Sequence, residues 1–353
     1  EQKMLAEQVR GLLADRSPYD HLRQLIDTGA EWDESLWREL GGMGFLGATI
    51  AQEFGGLGMT GLDLGVIAGE LGRANAAVPF FSSIVQCAGA LHLAGSDAQK
   101  AKWLPGLASG EVVGVFATAE GPGPSFTTGV TLTNGVLNGM KSPVADAGIA
   151  RIAVVLVAGG DFALVELDQP GVTQTKRDSF DQLRPHYQID FDAAVAQAMP
   201  GRGMLATLID LAAVQSAFEA TGAAEACLTM ARDYALDRQI FGRTLASYQA
   251  IKHKLAELAV QIELARSNAW YAGWAADAAP HALAGAAAAA RLTALAAFET
   301  GARENLQVHG GIGYTQEGNC HFYYRRERTL ALALGSRDYW ADRLIAAQLA
   351  KAA

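Results

Sequence analysis

Gln307-Val-His-Gly-Gly-Ile-Gly-Tyr-Thr-Gln-Glu317, followed at 324–326 by Tyr-Arg-Arg, is the stretch on which the reading of the fold turns. Taken alone, Gly310-Gly311 marks a helix-ending turn, since glycine takes left-handed backbone without a Cβ penalty. The run before it, 282–308, is long and alanine-rich, and so are 204–237, 248–278 and 336–350. Four such segments predict a four-helix bundle. Within them, 232–236 and 257–266 mix charge with apolar stripes, which leaves one face of each helix solvated.

Ahead of the bundle the pattern changes twice. Residues 112–202 hold short β-rich runs: Val112-Val-Gly-Val-Phe116, Gly129-Val-Thr-Leu-Thr133, Ile152-Ala-Val-Val-Leu-Val157 and Phe162-Ala-Leu-Val-Glu166. Thr133-Asn134-Gly135-Val136 reads as a hairpin turn, and a small antiparallel β domain is expected. Residues 1–111 show helical spacing at Leu5, Val9, Leu12 and Leu13, and again at Trp37, Leu40 and Met43. Phe54-Gly55-Gly56-Leu57-Gly58 breaks it, a helix follows through 62–73, and Ser96-Asp97-Ala98-Gln99 opens another with a good cap. The expected class is α+β, mostly α, in three domains: helical 1–111, β 112–202 and bundle 203–353.

The 353 residues are too many for one ordinary core. Half are hydrophobic and 18% charged, the balance of a globular chain. A net charge of −9 argues against a nucleic-acid partner, which wants a basic face. Cys87, Cys227 and Cys320 lack ligand spacing, so reduced buried thiols in the cytoplasm are expected rather than disulfides or a metal site. The first residues are charged and helical, not a signal peptide. No apolar run reads as a membrane span; the nearest, 282–290, is short and flanked by His281 and Arg291.

Several stretches together resemble the acyl-CoA dehydrogenase family over nearly the whole chain. They are Trp37-Arg-Glu-Leu-Gly-Gly-Met-Gly-Phe45, Glu53-Phe-Gly-Gly-Leu-Gly58, Glu70-Leu-Gly-Arg73 and Leu104-Pro-Gly-Leu-Ala-Ser-Gly-Glu111 early on, then Arg238-Gln-Ile-Phe-Gly242, Tyr248-Gln249, His253-Lys-Leu-Ala-Glu257 and the 307–317 signature. The resemblance implies an N-terminal helical domain, a middle β domain and a C-terminal four-helix bundle. It also implies FAD-dependent α,β-dehydrogenation of an acyl-CoA thioester, in which a carboxylate takes the α proton and the β hydride passes to flavin N5. The base must be held against that weakly acidic proton, and the cofactor does the redox chemistry.

Three places test that implication. The usual glutamate position falls in Ala333-Leu334-Gly335-Ser336, where Leu334 cannot accept a proton. The position used by other branches falls near Ala212, with Asp210 roughly 200° away round the helix. The usual flavin-ring cradle matches Thr118-Ala-Glu120-Gly121 and Lys141-Ser-Pro-Val-Ala-Asp146, which lack its tryptophan and threonine; Pro143 also lacks a backbone N–H. The pyrophosphate grip is retained. The resemblance assigns cofactor binding to Arg238, Phe241, Gly242, Gln249, Gln307, Gly310 and Gly311, of which the arginine and Gln-x-x-Gly-Gly motifs reach the FAD of a neighbouring subunit. Arg238 suits a pyrophosphate through paired, charge-assisted bonds. His309 reads as a packed histidine.

Loss of what serves a chain's own flavin, with retention of what serves a neighbour's, is similar to the paired-subunit actinobacterial enzymes acting on steroid side-chain CoA esters. The expectation is therefore a subunit without its own base, completing the FAD site of a homologous catalytic partner in an α2β2 assembly. Two alternatives stay open: a self-sufficient homomer whose base is elsewhere, with Glu219 and Glu225 as places to look, and other flavin chemistry such as a monooxygenase.

Overall fold

The computed structural model describes residues 1–122 and 126–352, with side chains described as far as 350. Residues 123–125 of the expected β domain and 353 of the expected bundle lie outside the described residues.

The chain forms two compact units. The first comprises Glu1–Leu22, Gly65–Ala76 and Ala213–Ala353, the second Arg23–Leu64 and Ala77–Ala212. The early helices are α1 (Gln2–Arg16), α2 (Tyr19–Thr28), α3 (Glu34–Gly42), α4 (Gly61–Arg73), α5 (Gly89–Ala94) and α6 (Asp97–Ser109), with a π-helix at Phe80–Ala88 before α5. Their ends follow local chemistry. Asp33 caps α3 by accepting from Leu36 N at 3.0 Å. Ser96 and Gln99 form the reciprocal capping box anticipated at the start of α6, and Gly110 ends that helix at φ 80°.

In the second unit the strands are β1 (Gly114–Ala117), β2 (Thr131–Thr133), β3 (Val136–Ala145), β4 (Ile152–Leu156), β5 (Phe162–Glu166), β6 (Val172–Arg177) and β7 (His186–Ala198). They form one seven-stranded sheet in the order β1-β4-β5-β7-β3-β2, with β6 also on β7. Asn134 and Gly135 join β2 to β3 with φ of 52° and 80°, the two left-handed residues that a type I′ turn needs. Pairing is antiparallel except between β1 and β4, which run parallel. The antiparallel expectation came from hairpin signals; β1 and β4 are joined by a long excursion, so no local turn fixes their direction. Val115, Leu137, Val155, Val165, Ile189 and Phe191 lie in the core beneath the sheet.

α7 (Leu205–Asp237) belongs to the first unit from Ala213 onward, and that unit also holds the short strands β8 (Gln239–Ile240) and β9 (Arg243–Thr244), α8 (Gln249–Ala278), α9 (Leu283–His309), α10 (Cys320–Leu332) and α11 (Arg337–Ala352). Four of these are the expected bundle helices; α10 is additional. Its segment is rich in Arg and Tyr, so no apolar stripe announces it, yet Cys320, Phe322, Tyr323, Arg326, Glu327 and Leu330 are buried. α4 and α7 approach through glycines. A Cβ on Gly222 would lie 1.9 Å from Gly69 O, and one on Gly72 would lie 2.1 Å from Glu219 O.

One membrane expectation needs correction. The helical run Pro280–Tyr314 is long and apolar enough, by length and composition, to cross a bilayer. The sequence reading stopped at Arg291, but that arginine is itself buried with the alanines Ala287, Ala290 and Ala294. The helix spends its apolar surface inside the bundle: 61% of its most apolar window is buried.

Candidate functional site

Segments from three helices and the turn after a hairpin of the bundle meet at one small apolar cluster. Ala231 and Ala235 of α7 and Val308 of α9 form its centre, with Tyr234, Leu245, Ala246, Ile251 and Leu255 packed around them. The cluster thereby joins the end of α7, the turn Leu245–Ser247 that follows the β8–β9 hairpin, the first turns of α8 and the end of α9. Those elements and the hairpin carry Arg238, Phe241, Gly242, Gln249, Gln307, Gly310 and Gly311, so all seven come to one end of the bundle.

Backbone bonds set the hairpin. Arg238 N–H donates to Tyr234 O at 2.9 Å, and Arg238 O accepts from Leu245 N at 2.7 Å, leaving the side chain exposed. Phe241 and Gly242 make the tip at φ 48° and 77°, flanked by the pairs Ile240–Arg243 and Gln239–Thr244. Phe241 stands 96% exposed. The Arg243 guanidinium lies 3.8 Å over the Tyr248 ring, and the Tyr248 hydroxyl donates to Ile240 O at 3.1 Å, which fastens the hairpin to the start of α8.

At the other side of the cluster, His309 stacks on Tyr234 at 4.2 Å, with Nδ1 2.8 Å from Asn305 O. Burial lowers its pKa against the opposing effect of the Asn305 carbonyl, so His309 is a packed, neutral residue at pH 7. Gly310 ends α9 at φ 63° and ψ −138°, a combination essentially restricted to glycine. A Cβ on Gly310 or Gly311 would meet nothing within 4 Å. Exposed Arg238, Gln249 and Gln307 beside this bare backbone make an open, polar rim carrying a fixed positive charge. Such a rim can take an anion presented from outside the chain.

The usual base position is different in kind. Leu334 lies between α10 and α11 at φ 58° and is only 7% exposed. Trp340 Nε1 donates to Leu334 O at 2.7 Å. Arg291, fully buried on α9, donates from Nη2 to Leu330 O at 3.0 Å and to Ala333 O, and from Nη1 to Ser216 Oγ at 2.8 Å. Burial brings the Arg291 pKa down to about 9, so the guanidinium is still charged at pH 7 and faces the carbonyls that end α10. The loop is pinned, and an aliphatic side chain stands at its tip. Sequence reading placed no role on Arg291; its only signal was a lone arginine inside an alanine run.

The other carboxylates considered are engaged. Glu219 Oε1 sits 3.4 Å from Arg326 Nη1, and both residues are buried. Glu225 is bracketed by Arg73 and Arg266, within a chain of pairs that continues through Arg73–Glu70 to Arg10. In the second unit, Ala212 is fully buried and offers a methyl group, and Asp210 is buried two residues before it.

The ring-cradle stretches, also in the second unit, are sewn to each other. Gly121 N donates to Ser142 O at 2.6 Å, and Ser142 N donates to Ala119 O at 2.8 Å. Lys141 is wholly buried and gives its ammonium protons to Glu120 Oε1 at 2.6 Å, Thr128 Oγ1 at 2.8 Å and Thr118 O at 3.2 Å. Glu120 also accepts from Gly129 N at 2.8 Å. Burial pushes the Glu120 pKa up, but the bonds from Lys141, Thr128 and Gly129 outweigh it and hold the carboxyl at about 2. These donors are thus spent within the protein. For a flavin the two regions differ: the bundle rim offers exposed groups that fit its anionic half, whereas the 118–121 and 141–146 stretches spend the Lys141 ammonium and the Gly121 and Ser142 N–H groups internally and have no N–H at Pro143.

Comparison with known proteins agrees with this anatomy. The family model for the acyl-CoA dehydrogenase N-terminal domain matches residues 1–111, and that for the acyl-CoA dehydrogenase C-terminal domain matches 201–350. Acyl-CoA dehydrogenase IpdE2 of Mycobacterium tuberculosis is 32% identical over 337 residues, covering 95% of this chain and 93% of its own. The probable acyl-CoA dehydrogenase YngJ of Bacillus subtilis is 28% identical over 366 residues, covering 96% and 95%. Among solved structures, a Tcur3481-Tcur3483 steroid acyl-CoA dehydrogenase variant superposes with a TM-score of 0.91 at 27% identity, over 99% of this chain and 98% of that one. The ChsE4-ChsE5 complex from Mycobacterium tuberculosis gives 0.90 at 25%, over 99% and 97%. With both domain models matched and a relative above 30% identity along almost its full length, the chain belongs to the acyl-CoA dehydrogenase family of FAD-dependent oxidoreductases.

Proposed function

We propose that this chain is the non-catalytic subunit of a heteromeric acyl-CoA dehydrogenase, in which it completes the FAD site of a homologous subunit that carries the glutamate. The observation that carries the reading is the pairing of a pinned Leu334 with an open rim at Arg238 and Gly311. A proton acceptor is required at the substrate's α carbon. Leu334 cannot be one, and Glu219 and Glu225 are held by arginines. Bound FAD would supply the hydride acceptor of the partner's site. This chain's own part is to hold the pyrophosphate through Arg238, with Gln249, Gln307 and the Gly310-Gly311 backbone beside it. The relatives named as steroid enzyme and as two-component complexes support a steroid-derived CoA ester as substrate and an α2β2 assembly as the working form. The three free, buried thiols fit a cytoplasmic setting.

The test is to purify the chain alone and together with a homologous chain that has the glutamate, then measure flavin-to-protein ratio, native mass and dye reduction with acyl-CoA esters. Alone, the chain is expected to be nearly colourless and inactive. Together, the two should form a yellow, active complex with a single FAD for each pair of chains. Stoichiometric flavin and turnover in the chain alone would overturn the reading.

A further inference from the structure

The hairpin after α7 carries a second arginine that the motifs leave without a role. Motif residues run from Arg238 to Gly242 and resume at Tyr248, so Arg243 falls between them. Strand pairing sets Gln239 opposite Thr244 and Ile240 opposite Arg243. The bond from Leu245 N to Arg238 O adds one step to that ladder and sets Arg238 opposite Leu245. Opposite residues share a face of the pleat and successive residues alternate, so Arg238 and Arg243 stand on the same face of the hairpin. Diagonal neighbours of this kind lie roughly 7–8 Å apart, within reach of two long side chains. Both residues are exposed, and neither has a carboxylate within ion-pair distance among the described residues. The flanking cations Arg232 of α7 and Lys254 of α8 are instead paired, with Asp233 and Glu304.

Arg243 is also held in place. Its guanidinium lies 3.8 Å over the Tyr248 ring, and the Tyr248 hydroxyl donates to Ile240 O at 3.1 Å, on the strand opposite Arg243. Stacking uses the flat face of a guanidinium and leaves the N–H donors on its edge for an anion. Ordering a long side chain before its ligand arrives removes an entropic cost of binding. We infer that Arg243 is a second diphosphate-binding residue, preset by Tyr248, so that the two phosphates of FAD meet one guanidinium each. The inference rests on the proposed function, in which this rim receives the pyrophosphate of the homologous subunit's FAD. One guanidinium offsets one of the two charges that a diphosphate diester carries, and two offset both.

The test measures FAD retention in the complex with the homologous chain. R243M removes the charge and should weaken retention by about 10-fold or more, the loss of one charge-assisted bond. R243K keeps a cation that can still lie over the ring but has no paired donors, so it should recover only part of that loss. Both variants should unfold in urea as the parent does, because Arg243 is exposed. Added salt should weaken retention more in the parent than in R243M, since the variant has one fewer charge to screen. A residue that only shaped the hairpin would be restored in full by R243K and would leave the salt dependence unchanged; either result overturns the inference. Flavin lost from Arg238→Ala but kept by R243M also overturns it, while the proposed function stands. A complex without flavin overturns both. Stoichiometric flavin in the chain alone overturns the proposed function only, and the same variants then score Arg243 in that form.

Discussion

Two regions of this protein carry family motifs for the same cofactor, and they have treated their hydrogen-bonding groups in opposite ways. At 118–121 and 141–146 the donors and acceptors are turned inward: a buried Lys141 ammonium is shared among Glu120, Thr128 and Thr118, and backbone groups close on one another. At the bundle end, Arg238, Gln249 and Gln307 are exposed, and the glycine backbone has open space before it. The contrast teaches that motif retention alone does not report function. Under the proposed role, the motif whose polar groups are satisfied internally acts as structure, and the one whose groups face out has a ligand to meet.

The largest expected effect tests the inward region. Glu120→Ala leaves the buried Lys141 charge without its carboxylate and should cost about 3–5 kcal/mol in denaturant unfolding. Lys141→Met in the same chain should recover most of it. Because the Glu120 pKa is held at about 2, below its ordinary 4.5, its contribution is complete above about pH 4.5 and is lost as pH falls toward 2. Acid titration of Glu120→Gln should lack that component. Equal stability of Glu120→Ala and parent would show the pair to be incidental.

A middle-sized effect belongs to the open rim. In the complex, Arg238→Ala should weaken FAD retention by about 10- to 150-fold, the equivalent of roughly 1.5–3 kcal/mol for a charge-assisted bond, with the fold unchanged. Flavin should be lost on gel filtration and regained with excess FAD. An unchanged flavin ratio is what a surface ion pair would give, at about 0–1 kcal/mol, and would remove the cross-subunit role.

The smallest effect on the protein itself sharpens the contrast further. Gly311→Ala adds a methyl group that meets nothing in the chain, so stability should stay within about 0.5 kcal/mol of the parent. Flavin content of the complex should nevertheless fall, because the added Cβ occupies space reserved for close approach. A variant that binds FAD as the parent does would show that this backbone is not approached.

Much of the fold was legible locally. The Asn134-Gly135 hairpin, the Ser96–Gln99 cap and the long alanine-rich helices follow from turn chemistry, capping and periodicity, all of which act over a few residues. β7 carried a readable signal too: Tyr187, Ile189 and Phe191 alternate with polar residues and are buried. α10 was not legible, because its buried members include Arg326 and Glu327, which periodicity counts as surface. The parallel pairing of β1 with β4 depends on two segments far apart in sequence, to which no local pattern refers.

By itself the sequence determined that Leu334 cannot accept a proton, that Pro143 has no N–H to give, and that Arg238 and the Gly310-Gly311 pair are present, since these are properties of side chains and backbone wherever they lie. Only the tertiary structure decided which of those groups are still available. Glu219 and Glu225 are candidate bases by residue type, and folding sets Arg326 against the first and Arg73 and Arg266 against the second. Lys141 lies in the cradle stretch, and folding pairs its charge with Glu120, 21 residues away. The physical reason is that a charged or polar group acts only through what remains unpaired, and its partners come from distant parts of the chain that folding brings within bonding reach.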